Sequence, residues 1–192
     1  IAGGARLGPD NKNDYGLSPI RAVAARLDAP EKDIKLFIDT LIEAGCPIDP
    51  QGDPTLLALA CTAQSHQYLV RRALKAGHNP NLGVKIRDMS GNMTTQRPLH
   101  NAVKAQRHHV VEMLLWAGAD VDARDEAGCN ALHACIYAGC SFDSEMLEIL
   151  MDHGLDLDNW TSQKDPEESE NALWMTAKIG YETGLDLLLK AG

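Results

Sequence analysis

Apolar residues in this chain recur in short, one-sided clusters that restart about every 33 to 43 residues. After each start they fall at i, i+3 and i+4: Ile20, Val23 and Ala24; Leu56, Leu59 and Ala60; Leu99, Ala102 and Val103; Leu132, Cys135 and Ile136; Leu173, Thr176 and Ala177. That spacing draws one apolar stripe on a short helix. A second cluster follows in every period, such as Ile34, Phe37, Ile38, Leu41 and Ile42, or Val110, Val111, Leu114 and Leu115, and predicts a second helix. Each period closes on glycine, at Gly45, Gly77, Gly118, Gly154 and Gly192, where a left-handed helix cap is expected because a Cβ would be penalised there. Ser18 is the expected N-cap of the first helix and Pro19 its first helical residue, an arrangement worth about 1 kcal/mol. Self-similarity at this period means stacked helical units that bury their apolar faces against each other.

The connections repeat as well. An apolar residue or proline followed by Asp or Asn leaves each second helix, as in Ile48-Asp49, Pro80-Asn81, Val121-Asp122 and Leu157-Asp158. A glycine-containing turn such as Asp125-Glu126-Ala127-Gly128 then leads to the next start signal. With the stretch from Trp116 to His133, which reads Gly-Ala-Asp-Val-Asp and then Ala-Leu-His, this order resembles the ankyrin repeat over about residues 13–192.

The resemblance implies an all-α ankyrin-repeat solenoid of about five helix-turn-helix units with β-hairpin-like fingers. It would form a single domain, 1–192, with units near 13–48, 49–81, 82–121, 122–157 and 158–192, the outer two acting as imperfect caps. It also implies that His100 and His133 tie turns together by hydrogen bonds. Arg21, Leu57 and Trp174 stand in that slot elsewhere, so those units are expected to brace differently, with Trp174 in the core.

Two fingers are longer than the regular one. Ten residues separate Asp122 from Leu132, but 18 separate Asn81 from Leu99 and 15 separate Asp158 from Leu173. Insertions in a solenoid emerge where they leave the stacked interfaces intact, often on a binding face. Alternation from Gly83 to Arg97 reads as a hairpin, with Arg87, Met89 and Asn92 as contact candidates; Met is adaptable contact surface. The fifth finger, Asn159 to Glu170, is acidic, and its Trp160 either anchors a partner or pins the insertion. Trp116, near the end of an outer helix where repeats place a solvent-facing residue, is expected to be either a second contact point or packing for the finger or flanking sequence. By analogy with ankyrin units, the second, fifth and sixth residues after the repeated Leu face a concave groove. Asn101, Lys104, Tyr137 and Lys178 come from that rule, and Glu126 from the fourth finger.

Charge sharpens this picture. Residues 1–119 hold 14 Lys and Arg against 11 Asp and Glu, whereas residues 120–192 hold 4 against 16, out of a net −9 for the chain. The C-terminal part is expected to repel nucleic acid and anionic membrane and to attract a basic partner. No run of 18 uncharged apolar residues exists to form a membrane span. Five cysteines scattered through apolar and loop positions argue against a disulfide framework and for an intracellular, cytoplasmic or nuclear setting. The sequons at Asn92 and Asn159 would suit a secreted protein, but patterns this short recur by chance. A chain that starts at Ile1 and stops at Gly192 reads as a piece of a longer protein.

Chemistry is sparse. Cys129, His133, Cys135 and Cys140 with His100, His108 and His109 superficially suggest zinc, but no paired Cys-x-x-Cys knuckle supports it. Phosphate-loop, nucleophile-elbow and zinc-protease motifs are missing, and Asp122, Asp156 and Asp158 occupy turn entries. No cofactor and no enzyme activity are expected. The reading is a monomeric module that binds a protein or peptide, with a basic one favoured, along the groove and fingers. The alternative is a regulatory or targeting ankyrin region of a multidomain enzyme or transcription regulator.

Overall fold

Among the described residues, five helix pairs form where the double apolar clusters occur. The computed structural model describes residues 18–26, 30–46, 48, 55–62, 66–87, 93–161 and 169–192. Met89, Asn92, Leu27 to Ala29 and most of the acidic fifth finger lie outside them. The inner helices are α1 (Pro19–Ala24), α3 (Leu56–Ala60), α5 (Pro98–Lys104), α7 (Ala131–Tyr137) and α9 (Ala172–Ile179). Their outer partners are α2 (Glu31–Glu43), α4 (Gln67–Lys75), α6 (His108–Trp116), α8 (Ser144–Asp152) and α10 (Glu182–Ala191). Each inner helix packs on the next inner helix, and α1, α3, α5 and α9 also pack on their own outer helices, so the chain is a row. Fold class and resemblance are thereby met.

One continuous core runs along that row, from Ile20 and Ile38 through Leu69, Leu99 and Leu132 to Met175 and Leu188. The helix ends follow the sequence signals. Ser18 Oγ accepts from the Arg21 amide at 3.2 Å, Asn130 Oδ1 from His133 at 3.0 Å and Asn171 Oδ1 from Trp174 at 2.9 Å. Gly45, Gly77, Gly118 and Gly154 close the outer helices at φ of 88 to 89°, a conformation that only glycine enters without strain. The lengthened third finger is a hairpin, with β1 (Val84–Arg87) antiparallel to β2 (Met93–Gln96) and Val84 opposite Gln96.

Side chains that cross between units fix the stacking register. Asn101 Nδ2 donates to the Ala58 carbonyl at 2.9 Å, and the buried Arg107 guanidinium donates to the Ala60 carbonyl at 2.9 Å. Asn81 holds the following turn twice, donating to the Gly118 carbonyl at 2.8 Å and accepting from the Asp120 amide at 2.7 Å. Arg97, standing where other units have a cap, instead donates to the carbonyls of Arg124 at 2.9 Å and Asn81 at 3.0 Å. Arg124 reaches forward to Asn159 and the Trp160 carbonyl. The Tyr181 hydroxyl donates to the Phe142 carbonyl at 2.8 Å.

The histidine slot behaves as the resemblance implies in unit three, where His100 Nε2 lies 3.0 Å from the Cys129 carbonyl of the next finger. In unit one, Arg21 takes the slot and donates to Thr55. Trp174 corrects the expectation of a core residue: it is 49% exposed, with the Lys178 ammonium 4.8 Å from its ring centroid. No described finger covers that slot in unit five, and the indole is left half-exposed.

The turn aspartates are used by the backbone. Asp156 accepts from the Asp158 amide at 3.0 Å and Asp120 from the Asp122 amide at 3.1 Å. Four cysteines are buried and Cys140 is half-buried, all as free thiols. Burial pushes the Cys61 and Cys135 thiols up to about 12 and Cys129 to about 11. No three His, Cys, Asp or Glu side chains among the described residues converge as metal ligands.

Two outcomes follow from this burial. Burial, reinforced by the Arg124 charge, lowers the His133 pKa to about 4. Its neutral ring stabilises the fold fully above about pH 6.5, and that contribution is lost as pH falls toward 4, because the unfolded chain binds the proton first. Urea unfolding at pH 5 should show a loss on the order of 2 kcal/mol relative to pH 7 through this residue. His133→Gln should remove that part of the slope, and an unchanged slope would contradict the assignment. Thiol titration of the folded protein with a disulfide reagent should give one fast equivalent, abolished by Cys140→Ser, with the remaining thiols reacting only on unfolding. Several fast equivalents would refute it.

Candidate binding surface

Inner helices and fingers together shape the concave side. The second residue after the repeated Leu is buried in units two to five, at Ala58, Asn101, Ala134 and Met175, although Ala134 and Met175 still reach the groove floor. Asn101 is therefore corrected as a groove contact. At 7% exposure its amide is committed to Ala58 and to Gln96, the latter at 3.3 Å. The fifth and sixth positions turn outward in units three to five, where Lys104, Tyr137, Ala138, Lys178 and Ile179 are exposed or nearly so. In unit two the fifth position, Cys61, is instead buried.

Lys104, Tyr137 and Lys178 line one groove of about 370 Å³, together with Asp125, Glu170 and Ala127 from the finger side. Tyr137 stands 80% exposed beside the small Ala134 and Ala138, which leave its ring free of covering side chains. Lys178 is held on the wall, 2.6 Å from Glu170 Oε1 and above the Trp174 ring. Cations thus come from the inner helices and carboxylates from the fingers. Cys129 also lines the groove, but its thiol stays protonated at neutral pH, so it is no nucleophile there.

The fingers are locked to each other. The fourth is a tight turn in which Asp125 Oδ1 accepts from the amides of Ala127 and Cys129, each at 2.9 Å. Glu126 at its tip accepts from Thr95 at 2.9 Å and pairs with Lys85 at 3.1 Å on the hairpin. The Thr95 hydrogen bond first, and Lys85 second, hold the Glu126 carboxyl below its ordinary range. Arg87 ends β1 on the same hairpin. At the base of the fifth finger Thr161 and Glu170 close on each other, the Thr161 amide donating at 3.0 Å. Trp160 sits there half-exposed, its carbonyl held by Arg124, so its backbone is pinned while its indole faces outward.

Sequence reasoning missed Asp125, Glu170 and Trp174 as part of this surface. Glu170 was legible only as one more acid in an insertion, and Trp174 was assigned inward from its slot. Trp116 lies on the opposite, convex side, 81% exposed, with its ring edge-on to His153 at 5.6 Å.

Comparison with known proteins agrees with this architecture. The family model described as ankyrin repeats (3 copies) matches residues 99–192. NF-kappa-B inhibitor alpha of Gallus gallus is 30% identical over 145 residues, 71% of this chain and 42% of that protein. The nuclear factor NF-kappa-B p105 subunit of Gallus gallus is 32% identical over 132 residues, 66% of this chain and 12% of that protein. Glycerophosphocholine phosphodiesterase gde1 of Schizosaccharomyces pombe is 30% identical over 150 residues, 76% of this chain and 11% of that protein. The matched region thus spans less than half the length of each of these relatives. Repeating helix pairs, glycine-closed outer helices, linked fingers and these matches lead to one conclusion: the chain belongs to the ankyrin-repeat family.

Proposed function

We propose that this chain is a non-catalytic intracellular module that binds a protein or peptide in the groove formed by α5, α7, α9 and the fingers. The observation that carries the reading is Tyr137, an exposed ring on a rigid helix, standing in a groove with cations on one wall and carboxylates on the other. A tyrosine so placed offers a large contact area at small entropic cost. Lys104 and Lys178 would meet acceptors on the partner, while Asp125, Glu126 and Glu170 favour basic groups approaching from the finger side. Arg87, Met89, Asn92 and Trp160 complete the contact set on the fingers. The binding form of the module is a monomer. No described helix is long and apolar enough to cross a membrane, and the acidic C-terminal part disfavours nucleic acid as ligand.

The match to a stretch of the gde1 phosphodiesterase supports a second reading, in which the module serves as a regulatory region within a longer enzyme. In that case the groove holds another domain of the same chain. The same residues would be used, and the source of the ligand would differ.

Both readings predict that Lys104→Glu with Tyr137→Ala weakens capture of a purified partner by at least about tenfold, as loss of an interface anchor does. Thermal unfolding should move by no more than about 2 °C, because neither side chain is in the core. Undiminished affinity in the double variant would show that the partner binds elsewhere.

A further inference from the structure

The outer face of the stack carries a groove that the concave surface does not use. It runs between α4 and α6, with a volume of about 650 Å³. Its apolar lining is the half-buried Leu74 and Met113 together with the exposed Trp116. Arg71 and Lys75, one turn apart on α4, stand exposed along it, and neither has an ion-pair partner among the described residues. Glu112, the acid that lines this groove, lies 3.5 Å from His109.

Charge is sorted sharply on two of the outer helices, whereas α2 and α10 mix both signs. Helix α4 has Arg71, Arg72 and Lys75 and no acid, whereas α8 has Glu145, Glu148 and Asp152 and no base. On the other flank Lys35 of α2 stands over the Tyr68 ring, and Asp39 accepts from the Tyr68 hydroxyl, so that neighbouring acid is occupied. A ligand in this groove meets two cations, Arg71 and Lys75, on the α4 wall and an exposed indole with the single carboxylate of Glu112 on the α6 wall. Toward α8 it meets repulsion if it is itself negative.

We propose that this groove docks a short acidic peptide segment of a partner protein, one that carries apolar side chains to pack on Met113 and Trp116. Arg71 and Lys75 select the sign of the ligand, and the indole supplies the anchor that interfaces commonly draw from tryptophan. The acidic α8 limits how far an anionic ligand can extend along the outer face. A long polyanion such as duplex nucleic acid, or a broad anionic membrane, would be brought against that acid, whereas a short segment would not. The site is separate from the concave groove, so both can be filled at once.

The probe is a fluorescein-labelled synthetic peptide in which leucines interrupt a run of glutamates, titrated with the intact chain and followed by anisotropy. Saturable binding is expected, weakened about tenfold or more by raising the salt from about 0.05 to 0.5 M as screening demands. Arg71→Glu with Lys75→Glu, and separately Trp116→Ser, should each weaken it at least about tenfold, while Tyr137→Ala leaves it unchanged. The same peptide with lysine for glutamate, or with serine for leucine, should bind no better than the double charge variant does. All substituted positions are exposed, and far-UV circular dichroism with thermal unfolding establishes that the variants fold. Failure of the acidic peptide to saturate, or indifference to the α4 substitutions, would overturn the proposal. So would preferential binding of phosphatidylserine vesicles or duplex DNA through the same residues. Self-association abolished by Arg71→Glu with Lys75→Glu in sedimentation of the chain alone would also overturn it, by making a second copy the occupant.

Discussion

Burial of each unit's apolar stripe against the next unit is the constraint from which everything else in this molecule descends. A pair of helices as short as α3 and α4, of 5 and 9 residues, has too little apolar area to offset its own ordering entropy in water. Stacked, those helices contribute Leu56, Leu57 and Leu69 to a core that continues on both sides. Stability therefore belongs to the interfaces, in the manner of a one-dimensional array. The polar ties at Asn101, Arg107, Asn81 and Arg124 follow from the same constraint. Asn101 and Arg107 satisfy carbonyls that the stacking would otherwise bury without partners, while Asn81 and Arg124 join neighbouring fingers at the surface.

A row held in this way presents two long surfaces whose side chains need not serve the core, and the sequence uses them differently. Toward the concave side, position five of the inner helices projects Lys104, Tyr137 and Lys178 from rigid backbone. The fingers lean together through Glu126, Thr95 and Lys85, and so form a wall rather than separate loops. Toward the convex side, two of the outer helices keep their charges unmixed, with a basic face on α4 and an acidic one on α8. Preorganisation is the common theme: contact groups stand on helices whose positions are already fixed by stacking, so little ordering remains to be done on binding.

Most of the architecture was legible because helical periodicity and glycine placement are local signals. Ser18, Pro19 and Gly118 announce helix ends through their own conformational preferences, and the hairpin shows in the alternation from Val84 onward. What could not be read depends on which neighbour lies above a given side chain. Asn101 looked like a groove residue because it is polar on a helix face, yet its partner is Ala58, 43 positions earlier. Trp174 looked buried because its slot is buried in unit four, where His133 is covered, whereas in unit five no described finger covers it. The basic face of α4 was present in the composition of Gln67–Lys75, but its meaning emerged only when Trp116 of α6 was set beside it.

Hydrogen exchange on a Leu132→Ala variant tests the central claim most directly. Leu132 is a fully buried residue of α7, and removing its side chain should cost about 3 kcal/mol. If the interfaces stabilise the row, protection should fall in α5 and α9 as well as in α7, since each borrows its burial from that helix. Protection lost in α7 and α8 alone, with both neighbours unchanged, would mean that the units stand by themselves and would contradict the account.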